Sequence, residues 1–247
     1  MDTKRVMLRV AYDGSSYHGW QIQNNAVTIE GTLREAIFDL TGEEVNLIGG
    51  SRTDAGVHAL DNVAVFDTST RIPAEKLPYA LNRRLPEDIC IQSAQEVAPD
   101  FHPRHCNSRK TYEYRILNTP FRIPQRRLYT NWIYGNLDVE QMSEAAACLR
   151  GEHDFTSFCS IYGQIEDHVR TIYDCRVLRE GNEVALTVTG NGFLYNMVRI
   201  IAGTLIEVGK GQRPSGDIPD ILEAKDRRAA GHTAPPAGLT LMRYEFS

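Results

Sequence analysis

No stretch of this chain is apolar for long enough to cross a bilayer. The most apolar one, Ile200 to Val208, is interrupted by Gly203, Thr204 and Glu207 and is too short. The N-terminal residues hold Arg9 within their apolar part and offer no small-residue cleavage site, so they read as a first strand and not as a signal peptide. The expectation is a protein of the cytoplasm with no membrane partner. Cysteine is scarce and scattered. Cys90, Cys106, Cys148, Cys159 and Cys175 are odd in number and contain no C-x-x-C pair, which argues against a disulfide framework and fits a reducing compartment. A metal reading of His102-Pro103-Arg104-His105-Cys106 fails on spacing, which matches no standard zinc motif, and no second ligand pair stands out. An excess of positive charge is missing too. Lys and Arg number 27 against 32 Asp and Glu, a net charge of −5 that by itself speaks against a nucleic-acid partner.

The distribution of charge weakens that objection. Basic residues cluster at Arg83-Arg84, from Arg104 to Lys110 and at Arg126-Arg127, while many acids fall in the segment Glu30 to Asp39. Each cluster is either a solvated face or a phosphate contact, and charge alone decides neither. With 247 residues, 42% of them hydrophobic, the chain can bury a core in one large domain or two smaller ones. Val6 to Tyr12 reads as a strand ending in the turn Asp13-Gly14-Ser15. Thr28 is placed to cap a helix with Ile29, Leu33, Ala36, Ile37 and Leu40 at helical spacing and Gly42 just past its end. Strands are predicted at Glu44 to Ile48, Val63 to Phe66 and Ile89 to Ser93, with a short helix near Ala74 to Leu81. A second unit opens with the alternating strand Thr111 to Ile116. A helix capped at Asp138 and ending at Gly151 follows, then a hairpin of Arg170 to Arg179 and Glu183 to Thr189 turning at Gly181-Asn182. Helices at Tyr195 to Val208 and Ile218 to Lys225 and a closing strand at Leu239 to Phe246 complete an α+β pattern. The expected division is an N-terminal domain of residues 1–107 and a C-terminal domain of residues 108–247.

The most chemically loaded segment is Ser51-Arg52-Thr53-Asp54-Ala55-Gly56-Val57-His58, between two predicted strands. It places an acid beside a guanidinium, with Gly49, Gly50 and Gly56 permitting tight turns and close backbone approach. A loop on a rigid scaffold suits catalysis. A turn held by an Arg–Asp pair suits the same residues equally well. A Walker phosphate loop is excluded, since no Gly-Lys-Ser/Thr follows the glycines.

The run Gly50-Ser51-Arg52-Thr53-Asp54-Ala55-Gly56-Val57-His58-Ala59 resembles the active-site motif of the TruA family of tRNA pseudouridine synthases, and the resemblance extends along nearly the whole chain. It takes in Tyr12-Asp13-Gly14, Gly19-Trp20-Gln21, Leu81-Asn82, Leu85-Pro86, Phe101-His102-Pro103-Arg104 and Arg109-Lys110-Thr111-Tyr112. It continues through Gly151 to Phe158, Asn191-Gly192-Phe193, Met197-Val198-Arg199, Lys225-Asp226-Arg227, Thr233-Ala234 and Gly238-Leu239. One departure is Ser51, where the family leads one to expect Ala or another small residue.

The resemblance implies two α+β domains whose antiparallel sheets join into one, with a catalytic cleft between them. The N-terminal domain would carry the Asp loop, and the C-terminal domain would complete the uridine pocket and the RNA cleft. It implies a homodimer acting on tRNA at anticodon stem-loop uridines 38 to 40. Asp54 would be the catalytic carboxylate, Arg52 its neighbour, Tyr112 the ring that stacks on uracil, Arg199 the basic partner of Asp54 and Leu239 part of the pocket wall. Arg104, Arg109 and Lys110 are expected RNA contacts. The isomerisation breaks the N1–C1′ bond and rejoins the base through C5 with no redox change, so neither cofactor nor metal is expected. A nearby guanidinium favours the ionised carboxylate that such chemistry needs. Two rival readings stand beside this one: a catalytically silent RNA-binding module, and a metal-dependent hydrolase built on His102, His105, Asp54 or His58.

Overall fold

Val6, Leu8, Val10 and Tyr12 alternate along Lys4–Tyr12 (β1) and all are buried, while Arg5 and Arg9 face the other way. A computed structural model describes residues 3–160 and 167–246. The chain forms two compact units, Met1–Ser108 with Leu241–Ser247, and Arg109–Thr240.

In the first unit the helix Ile29–Thr41 (α1) starts where the Thr28 side chain accepts the Gly31 N–H at 3.3 Å and stops at Gly42, whose φ of 72° is left-handed. It buries Ile29, Leu33, Ala36 and Ile37 of the stripe the spacing predicts, and Leu40, in its last turn, is only half-buried. The short strand Ile48–Gly49 (β2) leads to the strand His58–Thr68 (β3), then come the helix Leu77–Leu81 (α2) and the strand Ile89–Val97 (β4). The final strand, Leu239–Phe246 (β10), gives its residues from Leu241 onward to this unit, whose sheet runs β4-β1-β3-β10. The predicted strand Glu44 to Ile48 is mostly irregular, since only Ile48 and Gly49 pair with Val65 and Ala64. Val45 and Leu47 alternate because they are buried. Alternation reports a buried face, and it does not supply a strand partner.

In the second unit Ser108–Asn118 (β5) pairs with a short parallel strand, Asn131–Ile133 (β6), and antiparallel with Glu183–Gly190 (β9). The strand Val169–Glu180 (β8) lies between β9 and Gly151–Asp154 (β7), giving the order β5-β9-β8-β7. Three helices complete it: Val139–Ala147 (α3), Met197–Gly209 (α4) and Ile218–Ala224 (α5). The sheets are mostly antiparallel and the class is α+β, as the pattern predicts. Among the residues of α4 only Arg199 and Glu207 are not buried. A helix buried nearly all round is a core helix, so its two charges each need an assigned partner.

Candidate active site

The loop between β2 and β3 is held from every side within the first unit. Gly50 N donates to Val63 O at 2.7 Å, Trp20 N to Thr53 O at 3.0 Å, and Val57 N to Asp54 O at 3.1 Å. Asn62, fully buried on β3, works as a second backbone. Its Oδ1 accepts Ser51 N at 3.2 Å, and its Nδ2 donates to Ser51 O at 2.9 Å and to the Tyr12 hydroxyl at 3.0 Å. That hydroxyl lies 2.7 Å from Thr53 Oγ1, and burial pushes the Tyr12 phenol well above its usual range, so it stays protonated as a hydrogen-bonding pin. A register break between Val10 and Tyr12, where β1 meets β3, marks the same place.

Two sequence blocks far from Asp54 now have a reason. A Cβ on Gly14 would fall 2.0 Å from Val57 O, and one on Gly19, at φ +87°, 2.7 Å from Thr53 O. Both turns press backbone against the loop, which only glycine permits. Trp20 is buried with its indole where a Cβ on Gly49 would go. His58 is buried, and its Nδ1 accepts the Gly14 N–H at 3.1 Å. A nitrogen that accepts cannot also donate to the Asp13 carboxylate 3.1 Å away. The Asp13 carboxylate takes the Ser15 N–H at 2.9 Å. With the backbone fixed, side chains alternate in exposure: Arg52 exposed, Thr53 buried, Asp54 half-buried.

In the second unit Tyr112 lies on β5, 6% exposed, with Phe193 edge-on at 5.1 Å. Arg199, in the first turn of α4, donates from Nε to Ala234 O at 2.8 Å and from Nη1 to Asn196 Oδ1 at 2.7 Å. Ala234 N returns a bond to Arg199 O at 3.0 Å. Asn196 takes a left-handed φ of 60°, so α4 starts at Met197, later than the predicted Tyr195. The 232–234 segment comes close because Gly203 has no side chain, since a Cβ there would lie 1.8 Å from His232 O. Leu239 is buried at the head of β10.

The basic clusters differ in what they are given to do. Arg104 is exposed, yet burial of part of its guanidinium and the positive charge of Arg52 together lower its pKa. Its exposed position leaves it within reach of a ligand. The Arg109 guanidinium lies over the Tyr173 ring at 4.7 Å. Arg126 is instead paired with Glu183. His102 and His105 stack at 3.9 Å, and among the described residues no group of His, Cys, Asp and Glu is placed to hold a metal ion. Sequence reasoning missed Asn62, Asn196 and Tyr244. Asn62 follows Asp61 at the edge of the apolar run of β3, where a polar residue is ordinary in sequence.

A family model described as tRNA pseudouridine synthase matches residues 9–105 and 145–247. A protein of Thermoanaerobacter sp. (strain X514), named tRNA pseudouridine synthase A, is 50% identical over 98% of this chain and 100% of its own length. One of the same name from Acetivibrio thermocellus is 48% identical over 98% and 100%. A chain of a solved Cbf5-Nop10-Gar1 complex matches with a TM-score of 0.33 and 14% identity over 81% of this chain and 54% of that one, too faint a likeness to bear on fold. The loop around Asp54, the blocks that buttress it and a match along nearly the full length place the chain in the TruA family of tRNA pseudouridine synthases.

Proposed function

We propose that this protein converts uridine to pseudouridine in the anticodon stem-loop of tRNA, at positions 38 to 40, with Asp54 as its catalytic carboxylate. Membership of the family makes the chain an isomerase acting on tRNA uridine. The assignment of Asp54 rests above all on one observation. The backbone of the Asp54 loop is locked at Ser51, Thr53 and Asp54 by Asn62, Trp20 and Val57, while Asp54 is half-buried and Arg52 exposed. Such stiffness is what positioning a reacting group requires.

Asp54 assists cleavage of the N1–C1′ bond, the base turns, C5 bonds to C1′, the C5 proton leaves and N1 takes up a proton. Atoms and electrons balance within the nucleotide. Extruding a stacked uridine costs on the order of a few kcal/mol. Arg52, exposed and planar, is suited to hold the opened strand. The second unit contributes Tyr112 as the stacking ring and as the acceptor of the C5 proton, Arg199 as the partner that favours an ionised Asp54, and Leu239 as pocket wall. Stacking on Tyr112 calls for movement of the neighbours that cover it. Arg104, Arg109 and Lys110 contact RNA phosphates. We further assign the active form as a homodimer of the cytoplasm; among the described residues no helix is long and apolar enough to cross a membrane.

The test is Asp54→Asn, which preserves shape and removes charge. Single-turnover tritium release from C5-labelled tRNA falls to background while filter binding stays within a few-fold of wild type, because a carboxylate near phosphates repels them. Near-normal turnover would remove Asp54 from its role. Transcripts keeping uridine only at 38, 39 or 40 check the positions, and release from other uridines alone would refute them.

A further inference from the structure

Tyr244 has no part in the chemistry above, yet it touches the two loops that carry Arg52 and Arg104, both exposed. Its hydroxyl donates to Pro103 O at 2.5 Å, one residue before Arg104. Its ring occupies the space a side chain on Gly50 would need, with Cε2 2.7 Å from the position of a Cβ there, two residues before Arg52. Its own backbone is clamped. Tyr244 N donates to Asp61 Oδ2 at 3.2 Å and Tyr244 O accepts from Arg9 Nη1 at 3.0 Å, while Arg9 and Asp61 pair at 2.6 Å. The ring is fully buried against Met7, Val63 and Val65, and Phe246 lies 5.0 Å from it with Phe101 a further 5.1 Å on. We propose that Tyr244 is a positioning residue of the uridine-isomerising site, fixing the Arg104 loop against the Asp54 loop so that Arg52 and Arg104 grip RNA phosphodiester together.

This rests on the reading of Asp54 and Arg52 given above. The charges agree with it. Arg104 feels the positive field of Arg52, and Glu30 is the acid whose opposing charge it also feels. Two guanidiniums held within each other's field repel, and an anion bound to both relieves that repulsion. Tyr244 supplies the support, and an RNA phosphate is the anion. The groups facing this point also include the Tyr244 phenol, protonated because burial raises its pKa, with Ser108 hydrogen-bonded to it and Cys106 beside it, and Arg34, which acts on Glu30. Nothing in the network needs Tyr244 to touch substrate.

Steady-state tritium release on tRNA transcript separates positioning from mere stability. Tyr244→Phe keeps the ring and loses the bond to Pro103, so KM rises about three- to tenfold, the scale of one net hydrogen bond, with kcat little changed. Arg104→Ala raises KM similarly. The double variant is no worse than Arg104→Ala alone, because the hydroxyl acts only through Arg104. Gly50→Ala drives a Cβ into the ring and lowers kcat, and adding Tyr244→Leu restores it. Additive KM effects, or a Gly50→Ala defect that Tyr244→Leu does not relieve, would overturn the proposal. Wild-type protein that releases no tritium would refute the functional reading instead. Active wild type with an unaltered Tyr244→Phe refutes only the role of Tyr244.

Discussion

Asn62 has no exposed surface and sits in β3 directly before the apolar run Val63, Ala64, Val65 and Phe66. Its amide replaces strand pairing for Ser51 and reaches Tyr12 as well, so it turns a mobile glycine-rich loop into a fixed one. Asn62→Leu fills the volume and removes the hydrogen bonds that the Asn62 amide makes to Ser51 N, Ser51 O and the Tyr12 hydroxyl. Each net hydrogen bond is worth about 0.5–1.5 kcal/mol, so urea unfolding should show a loss of roughly 2–4 kcal/mol, together with a deep loss of turnover. A variant as stable as wild type with full turnover would show that the loop holds itself. At this scale the loop that carries Asp54 was legible as a loop between strands because Gly49, Gly50, Gly56, Arg52 and Asp54 crowd into one turn. Its supports were not. Asn62 looks like any polar residue in a strand, and Tyr244 meets Gly50 and Pro103 from the far end of the chain, a contact no local pattern encodes.

Elements defined by their own ends were readable, and those defined by a neighbour were not. α1 carries Thr28 at one end and Gly42 at the other, and the hairpin of β8 and β9 turns at Gly181, with φ 60°. β6 and β7 were missed because strands this short exist only by pairing with β5 and β8. The helix predicted from Asp138 to Gly151 stops at Ala147, since Gly151 takes φ 106° and opens β7. β7 is in turn tied to the end of α5. Asp154 Oδ1 accepts the Thr156 hydroxyl at 2.6 Å, and Lys225, left-handed at φ 46°, sets its Nζ 3.0 Å from Asp154 Oδ2. The Thr156 hydroxyl first, and Lys225 after it, hold the Asp154 carboxyl at about 2. A folded pKa below the unfolded value of 3.8 gives stability that is complete above that value and is lost as pH falls through about 2. Asp154→Asn should therefore lower the unfolding midpoint at pH 6, with the gap to wild type closing only as pH drops from near 4 toward 2. A gap of constant size down to pH 2 would show that shape, and not charge, makes the contact.

Across the whole molecule the net charge of −5 poses a problem for a tRNA enzyme, and binding must rest on which individual bases are left to meet phosphate rather than on the total. Many acids are already committed to bases of the same unit: Asp67 to Arg5, Asp61 to Arg9, Glu183 to Arg126 and Arg115, Glu207 to Arg213. Such pairs are neutral at the distance of a phosphate. Arg109 is different, because it is stacked on Tyr173 and keeps its charge for an anion. Binding to tRNA should thus weaken steeply with salt, by about 0.7–0.9 logarithmic units per phosphate contact for each tenfold rise. The pairing makes the expectation sharper than composition could. Arg109→Ala should reduce that slope by about one contact, whereas Arg126→Ala should leave it unchanged, since its guanidinium already answers Glu183. Filter binding across a salt series measures both slopes in one experiment. Equal reductions would mean that the Glu183 pair opens to RNA, and a wild-type slope near zero would mean that the basic clusters are solvated faces after all.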